Sequence, residues 1–322
     1  MARNGLAGFQ FSVHGDGSGV RTVVLGAGAM GSLLAARLTE AGADVALLGR
    51  PSAHLAAIRQ QGVRLEELDG TTRTVAIPAT DDATVARGAD LLVLVVKSWA
   101  TAEALASIRD ELPADATVLT LQNGLGNAHA IGQAVGEGPR ILTGVTTQAA
   151  LRERPGFVRH TGAGLTAIGR EGSQGDARAG EVAALLSGCG WPAQAVVDVD
   201  RWVWRKLAIN AAINPLTALA GVPNRAIADD PDLAAAAAGL AQEVAAVAAA
   251  AGYDLGDIAG AVMDVARATG ANRSSMLCDL TDGVPTEIDA INGAVVAEAV
   301  ARGMSAPANG VALALVRARE RA

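Results

Sequence analysis

The sequence predicts an α/β protein in which a doubly wound parallel sheet is followed by an all-helical C-terminal region. Strand-like and helix-like stretches alternate from Val20 to about residue 198, which is typical of a parallel sheet covered by helices. Asp90–Val96 is an almost continuous apolar run, as expected of a parallel strand buried on both faces. From Asp200 onward the apolar residues recur with the 3.6-residue period of helices.

The length of 322 residues suggests two domains, because a single hydrophobic core seldom grows beyond ~250–300 residues. We place the boundary near Asp198, so that residues 20–198 carry the sheet and residues 199–322 carry the helices. Residues 1–19 contain many Gly, Ser, Asn and Asp residues and are expected to form a mobile N-terminal extension.

Composition and charge argue against several functional classes. A formal net charge of −7 is unfavourable for a general binder of nucleic acid or anionic membranes. Cys189 and Cys278 lie far apart and outside any Cys/His cluster, so neither a disulfide framework nor a metal site is expected. Polar residues interrupt the alanine-rich stretch 234–251, and the sequence shows neither ~18 uninterrupted strongly apolar residues nor a signal peptide. These features predict a soluble cytoplasmic protein, and a homodimer is compatible with them.

Individual elements follow from apolar runs, helical periodicity and the turn-forming residues between them. Beyond the first strand and helix, strands are predicted at Asp44–Leu48, Val63–Leu68, Arg73–Ile77, Asp90–Val96, Ala116–Leu121, Arg140–Thr147 and Gln194–Val197. Further helices are predicted at His54–Gln61, Thr101–Glu111 and Glu181–Gly188, at 200–220, 232–252, 254–269 and 286–302, and from Ala308. Phe157–His160 and Leu165–Gly169 are expected to pair with each other as a small antiparallel hairpin.

A glycine-rich turn, VLGAGAMG, lies between the first predicted strand and the helix Ser32–Ala41. Gly26, Gly28 and Gly31 fit the pattern G-x-G-x-x-G, in which the first glycine allows a tight turn. The second lets a pyrophosphate approach the backbone, and the third lets the helix pack closely on the strand. This context predicts a Rossmann-type domain in which the N-terminus of the helix faces the phosphates of a dinucleotide. The expected cofactor contacts here are Gly26, Ala27, Gly28, Ala29, Met30 and Gly31.

The end of the second strand indicates which dinucleotide binds. Sites that prefer NAD usually carry Asp or Glu about twenty residues past the glycines, where the ribose 2′-hydroxyl lies. Here Arg50 and Ser52 occupy that region, and the next carboxylate in the sequence is Glu66. Arg50 can pair with a 2′-phosphate, so NADP is the predicted cofactor; a solvated surface arginine is the alternative.

Lys97 and Asn123 each follow a predicted parallel strand. Ligands of doubly wound sheets bind outside the carboxyl ends of the strands, so both side chains are expected to face the cofactor. The alternatives are a lysine in an ordinary loop and an asparagine that caps a turn before Gly124.

A polar stripe runs along the predicted helix 200–220. Lys206, Asn210 and Asn214 are spaced four residues apart, so they lie within about 80° on one side of the helix. Most neighbouring residues are apolar, which indicates a buried helix whose polar groups need partners. A bound polar ligand would supply these partners, and a solvated helix face is the alternative.

A second polar group lies between Asn272 and Asp289. Ser274 and Ser275 are expected in an irregular stretch, and Thr286 is a candidate N-cap for the helix that carries Glu287. Glu287 is either a functional carboxylate or an ordinary first-turn acid favoured by the helix dipole. The pattern alone does not choose between these two interpretations.

These residues belong to stretches that resemble the ketopantoate reductase (2-dehydropantoate 2-reductase) family. The matching stretches run in the family's order and are VLGAGAMG (24–31), LLVLVVKSW (91–99), LQNGLG (121–126), WRKLAINAAINPLTAL (204–219), VPN (222–224), SSML (274–277) and TEIDAING (286–293). The resemblance implies a C-terminal domain like that of 6-phosphogluconate dehydrogenase. It also implies NADPH-dependent reduction of 2-dehydropantoate to (R)-pantoate, in pantothenate and coenzyme A biosynthesis.

By this resemblance, Lys206 is the general acid and Glu287 shapes the catalytic, cofactor and substrate sites. Substrate contacts are further implied for Asn123, Asn210, Asn214, Asn224 and Ser275, and cofactor contacts for Lys97, Asn123 and Ala150. A lysine ammonium can supply both the proton and the electrostatic stabilisation that a developing alkoxide needs, without a metal. The chain departs from the family at Ala100, where members often carry Gln, and this removes one polar contact on the cofactor side.

Two other functions stay open at this point. A related enzyme could reduce another 2-oxo acid or an oxo-lactone with NADPH, and Ala100 leaves room for such a substrate. A non-catalytic NADPH-binding sensor would keep the glycine turn but would not need a proton donor, so Lys206 and Glu287 argue against it.

Overall fold

The computed structural model describes residues 19–136 and 138–322, so nearly all of the predicted extension at residues 1–19 lies outside the described residues. An eight-stranded sheet has β1 (Thr22–Leu25) between β2 (Val45–Leu48) and β6 (Leu91–Leu94). Its other strands are β5 (Ala79–Thr80), β7 (Thr117–Thr120), β8 (Arg140–Thr146), β11 (Thr166–Gly169) and β12 (Ala193–Ala195). The spatial order is β12-β11-β8-β7-β6-β1-β2-β5, and neighbouring strands are parallel apart from β8 and β11. The predicted doubly wound parallel sheet is confirmed.

Helices pack on both faces of this sheet. They are α1 (Ala29–Glu40), α2 (Ala53–Gln61), α3 (Thr101–Ala106), α4 (Asn127–Val135) and α5 (Ala177–Gly188). Val24 of β1 packs into the core on one face, and Val23 and Leu25 pack into the core on the other. This burial on both faces explains why the strands read as continuous apolar runs. The helix α4 was not predicted, because it is only nine residues long and contains Gly132.

A second sheet of four strands contains β4 (Thr72–Val75), β3 (Val63–Glu66), β10 (Phe157–Gly162) and β9 (Ala149–Arg154), in that order. The expected hairpin between Phe157–His160 and Leu165–Gly169 is wrong. Instead, β10 pairs antiparallel with β9, whereas β11 pairs antiparallel with β8 in the large sheet. The two segments are neighbours in the sequence, but the partner of each strand belongs to a segment elsewhere in the chain.

The C-terminal part is helical, as predicted, and α6 (Val199–Ala220) is its longest helix. The others are α7 (Ala226–Asp229), α8 (Pro231–Ala250), α9 (Ile258–Ala268), α10 (Ser275–Asp282), a π-helix at Asp289–Gly293, α11 (Ala294–Ala301) and α12 (Pro307–Glu320). The expected irregular stretch at Ser274 and Ser275 is wrong, because Ser274 caps α10 by accepting a hydrogen bond from Leu277 N at 3.1 Å. The candidate cap Thr286 accepts a hydrogen bond from Ile288 N at 3.1 Å, just ahead of the π-helix.

By length and composition alone, α8 could cross a membrane, since its mean hydropathy is 1.6. In the structure it packs along α6, and Leu240 and Val244 are buried in the helical core. Glu243 of α8 accepts hydrogen bonds from the backbone N–H groups of Ala308 and Asn309, at 2.8 and 3.0 Å. The carboxylate that interrupts this alanine-rich helix therefore caps the N-terminus of α12, as expected of a core helix.

Candidate active site

The glycine-rich turn joins β1 to α1 with the geometry that its sequence predicts. Gly26 has a φ of +126°, and a Cβ there would lie 2.9 Å from the carbonyl carbon of Val95. A Cβ on Gly31 would lie 2.0 Å from the carbonyl oxygen of Gly26, so α1 could not pack against the turn. At Gly28, by contrast, a Cβ would have no heavy atom of the described residues within 4 Å. The backbone at the N-terminus of α1 is thus open to an approaching phosphate.

This turn lies where the strand order changes direction, between β1 and β6. Ligands of doubly wound sheets bind outside the carboxyl ends of the strands at this point. Arg50 follows β2, Lys97 follows β6 and Asn123 follows β7. The fold therefore places all three predicted side chains at the same edge of the sheet as the turn.

Arg50 is an exposed side chain at the end of β2. Its guanidinium lies 3.6 Å from the carboxylate of Glu103 in α3, and the two side chains are 71% and 68% exposed. An exposed pair at this distance contributes little free energy, so Arg50 can exchange Glu103 for another anion. The nearby Ser52 caps α2 by accepting a hydrogen bond from Leu55 N at 3.1 Å, which leaves its hydroxyl proton able to donate.

Glu287 connects the helical part to the edge of the sheet. Its side chain is only 6% exposed, and Oε1 accepts a hydrogen bond from the backbone N–H of Ser98 at 3.0 Å. Oε2 accepts from Nδ2 of Asn123 at 3.1 Å and lies 3.8 Å from Nζ of Lys97. A solvated first-turn acid would have none of these contacts, so the functional interpretation of Glu287 fits its surroundings better.

Lys97 also forms an ion pair that was not predicted. Its Nζ lies 2.6 Å from Oδ2 of Asp279 in α10. Burial raises the pKa of the Asp279 carboxyl to about 6, although the Lys97 ammonium opposes this shift. The sequence contained one signal for Asp279, which is that it follows Ser275 by four residues and so shares a side of α10 with it.

The stripe Lys206, Asn210 and Asn214 lies along α6, as predicted. Within the described part of the chain, these three side chains form no hydrogen bond and no ion pair. Asn214 is nevertheless only 7% exposed, and the other two are half-buried, so the stripe is not a solvated face. Burial lowers the pKa of Lys206 to about 8, and the negative charge of Glu287 opposes this shift. Buried polar groups without a protein partner need a ligand or water.

A narrow cavity lies between α6 and the strands β7 and β8, and Lys206 and Asn123 line it. Glu171 lines the same cavity and accepts a hydrogen bond from the hydroxyl of Thr143 at 2.7 Å. Burial raises the pKa of the Glu171 carboxyl. Lys206 therefore has two acidic groups in its surroundings, Glu287 and Glu171.

The other predicted substrate residues differ in their surroundings. Asn224 is 8% exposed, and its Nδ2 donates to the hydroxyl of Thr269 at 2.9 Å. Its Oδ1 is buried without a hydrogen-bond partner among the residues described. Ser275 is exposed at the first position of α10, one turn before Asp279.

Ala150 and Asp289 differ from the residues above in their surroundings. Ala150 lies in β9, opposite His160 of β10. Because its side chain is a methyl group, only its backbone offers polar groups to a cofactor. Asp289 follows Glu287 closely in the sequence, but it is exposed and lies 2.7 Å from Arg317. Proximity in the sequence therefore does not bring Asp289 into the cluster around Glu287.

Two family models match the chain in succession. The model described as ketopantoate reductase PanE/ApbA matches residues 22–172, and the C-terminal model of the same family matches residues 198–320. The chain belongs to the ketopantoate reductase family. This family comprises NAD(P)-dependent oxidoreductases, and the resemblance found in the sequence motifs is confirmed.

Sequence relatives of this reductase extend over nearly the whole chain. The 2-dehydropantoate 2-reductase of Halobacterium salinarum is 38% identical and covers 94% of this chain and 99% of that protein. The 2-dehydropantoate 2-reductase of Pyrococcus horikoshii is 34% identical, over 94% of this chain and 98% of that protein.

Solved structures agree with the fold of this reductase. The ketopantoate reductase of Ralstonia eutropha JMP134 is 33% identical with a TM-score of 0.84, over 94% of this chain and 99% of that chain. A ternary structure of D-mandelate dehydrogenase with NADH and anilino(oxo)acetate is 27% identical with a TM-score of 0.86, over the same shares of the two chains. The parallel sheet followed by helices is thus the architecture of the family.

Proposed function

We propose that this protein reduces 2-dehydropantoate to (R)-pantoate with NADPH, as a step of pantothenate and coenzyme A biosynthesis in the cytoplasm. In this proposal, residues 20–198 form the NADP-binding domain and residues 199–322 form the helical substrate and catalytic domain. The family membership and the name shared by the sequence relatives support the reaction.

The observation that carries the proposal is the stripe of Lys206, Asn210 and Asn214, which lacks hydrogen-bond partners in the described chain. One ammonium and two carboxamides offer the donors that the carbonyl and carboxylate oxygens of a 2-oxo acid accept. Glu287, beside this stripe, offers acceptor capacity for a substrate hydroxyl. A site with donors along α6 and a carboxylate whose charge acts on Lys206 suits a 2-oxo acid that also carries a hydroxyl.

The residues at the edge of the sheet fit a dinucleotide. The open backbone at Gly28 and the N-terminus of α1 would hold its pyrophosphate. Arg50 would bind a 2′-phosphate, which is the reason for proposing NADP rather than NAD. Lys97 and Asn123, at the ends of the next two strands, would contact the remainder of the cofactor. When bound, the reduced nicotinamide supplies a hydride to C2 of the substrate.

Lys206 would supply the proton. With a pKa of about 8, its amine is mostly protonated near neutral pH, yet close enough to that pH for efficient proton transfer. The ammonium also stabilises the negative charge that develops on the substrate oxygen. Glu287 keeps Lys206 protonated, because its negative charge raises the pKa of that amine.

A second candidate function is the reduction of a different 2-oxo acid or an oxo-lactone. Two observations favour keeping this candidate. D-Mandelate dehydrogenase shares the fold over 94% of this chain, and its ternary structure contains anilino(oxo)acetate, a substituted oxoacetate. In addition, the resemblance places Ala100 where family members often carry Gln, and Ala100 is buried just before α3.

The test is a panel of substrates assayed with the purified protein, in which the oxidation of NADPH is measured. The panel contains 2-dehydropantoate, other branched 2-oxo acids and an oxo-lactone, with Lys206→Ala as the inactive control. A kcat/KM for 2-dehydropantoate well above all others would support the proposal. Similar values for several compounds would favour the second candidate, and NADPH binding without turnover would contradict both.

A further inference from the structure

Asn292 belongs to the motif TEIDAING, but none of the roles described so far uses it. It lies in the π-helix Asp289–Gly293, five residues after Glu287, and its side chain is fully buried. A buried carboxamide is costly unless it is hydrogen-bonded, so its partners indicate why it is there.

The need for Asn292 originates in α6. Pro215 lies inside this helix and has no N–H, so it cannot donate to the carbonyl of Ala211, four residues earlier. The helix nevertheless continues to Ala220. The Ala211 carbonyl, in a fully buried residue between Asn210 and Asn214, therefore loses its usual helical donor.

Asn292 supplies the missing donor. Its Nδ2 donates to the carbonyl oxygen of Ala211 at 3.1 Å and to Oδ1 of Asn309 at 2.9 Å. The orientation of Asn309 is fixed, because its own Nδ2 donates to Leu240 O and Glu243 Oε2. The Oδ1 atom of Asn292 is buried and has no hydrogen-bond partner in residues 19–136 and 138–322. The hydrogen bonds of the Asn292 side chain are therefore the two that its amide nitrogen donates.

The same bond joins the segment that follows Glu287 to the helix that carries Lys206. Glu287 lies two residues before the π-helix, and its backbone carbonyl accepts a hydrogen bond from the N–H of Ile291, the neighbour of Asn292, at 3.1 Å. Lys206 and Ala211 are five residues apart, which is ~7.5 Å along α6. Asn292 contacts α6 at Ala211, and the negative charge of Glu287 acts on Lys206 of the same helix.

We propose that Asn292 is a positioning residue, which ties the π-helix to the Ala211 carbonyl of α6 and so sets the distance from Glu287 to Lys206. It does not touch the substrate, and it acts through Glu287. The kinetic part of this inference rests on the proposed reductase function, whereas the bond that replaces the missing donor of Pro215 does not.

A cycle of variants in the full chain tests whether Asn292 positions Glu287 or only donates a hydrogen bond to the Ala211 carbonyl. Asn292→Leu keeps a similar size but donates no hydrogen bond. Pro215→Ala restores an N–H that can bond the Ala211 carbonyl from within α6. Thermal unfolding should show that Asn292→Leu is clearly less destabilising in the Pro215→Ala background, because the carbonyl is then satisfied. The double variant is also the folded protein for kinetics if Asn292→Leu alone does not fold.

The kinetic result should differ from the stability result. In both backgrounds Asn292→Leu should lower kcat at least about tenfold with little change in the KM for NADPH, since a ~1 Å misplacement can cost roughly 10²-fold. The alkaline limb of kcat should also move to lower pH, because a displaced Glu287 no longer raises the pKa of Lys206. Among the other charged groups near Lys206, Lys97 and Glu171 lie outside the π-helix segment, so the shift reports on Glu287.

Asn309→Leu is the matched control, because it breaks the same buried chain of hydrogen bonds one residue further from α6. It should destabilise the protein without moving the alkaline limb. The inference is overturned if Pro215→Ala restores kcat together with stability, since Asn292 then only satisfies a carbonyl. It is also overturned if Asn309→Leu moves the limb equally. An unsubstituted protein that turns over no 2-oxo acid would instead contradict the proposed function, and the stability cycle would still test the bond.

Discussion

Two pairs of oppositely charged residues in the site differ in their contact with solvent, and of the two only the first lies within ion-pair distance. At the end of β2, Arg50 and Glu103 lie 3.6 Å apart with both side chains more than two-thirds exposed. In the second pair, Lys206 is half-buried and Glu287 is 6% exposed. The carboxylate of Glu287 is held by the backbone N–H of Ser98. The first pair consists of groups that solvent reaches, whereas the second consists of groups that the fold holds in place.

This difference determines what each pair can do. Water and salt screen the exposed charges, so Arg50 can exchange partners at little cost and is suited to binding an anion. Burial lowers the pKa of Lys206, because less water is available to stabilise its charge. A pKa closer to neutral pH suits this amine to proton transfer. Substitutions of Lys206 or Glu287 should therefore change kcat, and substitutions of Arg50 or Glu103 should change the KM for the cofactor.

The largest effect is expected for Lys206→Ala. Removal of a general acid should lower kcat by ~10²–10⁴, while the KM for NADPH stays nearly unchanged. Steady-state kinetics with 2-dehydropantoate would measure both, with thermal unfolding as the control for a structural role. A variant that retains more than about a tenth of the wild-type kcat would remove Lys206 from the mechanism.

The pH dependence of kcat should follow the protonation of Lys206. A general acid must carry its proton, so kcat should be constant below the pKa of about 8 and fall as the pH rises through it. Above that value, the loss should approach about tenfold per pH unit. Rates measured across this range would show the limb, and in Glu287→Gln the limb should lie at lower pH. A flat profile would indicate that Lys206 is not the proton donor.

Glu287→Gln should lower kcat/KM for 2-dehydropantoate at least about tenfold, because it keeps the shape of the side chain but removes the charge. The loss should be smaller for a 2-oxo acid without the terminal hydroxyl, since that contact is absent in both enzymes. Two substrates measured on two enzymes form a double-difference cycle. Equal losses for both substrates would show that Glu287 does not recognise the hydroxyl.

At the exposed end of β2, Arg50→Ala should raise the KM for NADPH by at least about tenfold, because a charge-assisted phosphate contact is worth ~1.5–3 kcal/mol. The KM for NADH should hardly change, and kcat should stay the same with either cofactor. Kinetics with both cofactors would measure this. If the two KM values rise equally, Arg50 does not bind the 2′-phosphate.

The smallest effect is expected for Glu103→Gln. This substitution removes the carboxylate that now lies beside Arg50, so NADPH should bind slightly better, with a KM lowered by less than about threefold. High salt should reduce the difference, since both groups are exposed. A loss of NADPH affinity would instead suggest that Glu103 contacts the ribose.

The glycine turn shows how far local reasoning extends. Gly26 and Gly31 are close in the sequence, and a Cβ on Gly31 would clash with the carbonyl of Gly26. The spacing of the glycines, between a predicted strand and a predicted helix, therefore predicts the turn. The stripe along α6 is similar, because helical periodicity places Lys206, Asn210 and Asn214 on one side whatever the rest of the chain does.

The hairpin and the helix α10 show where this reasoning stops. Phe157–Gly162 and Thr166–Gly169 are neighbours in the sequence, but the two strands have their partners in different sheets. The segment Ser275–Asp282 is a helix of only eight residues, which is too short for a clear periodic signal. Long-range strand pairing and the packing of short helices depend on segments elsewhere in the chain.

By itself, the sequence determined the fold class, the glycine turn, the polar stripe of α6 and the family. Each of these depends on residues within a few helical turns, or on the order of motifs along the chain. Only the tertiary structure decided the partners of the charged groups, such as Asp279 for Lys97, 182 residues away, and Asn123 for Glu287. Periodicity shows which side of an element is buried, but not which distant side chain is packed against it, because that choice depends on the three-dimensional arrangement of the whole chain.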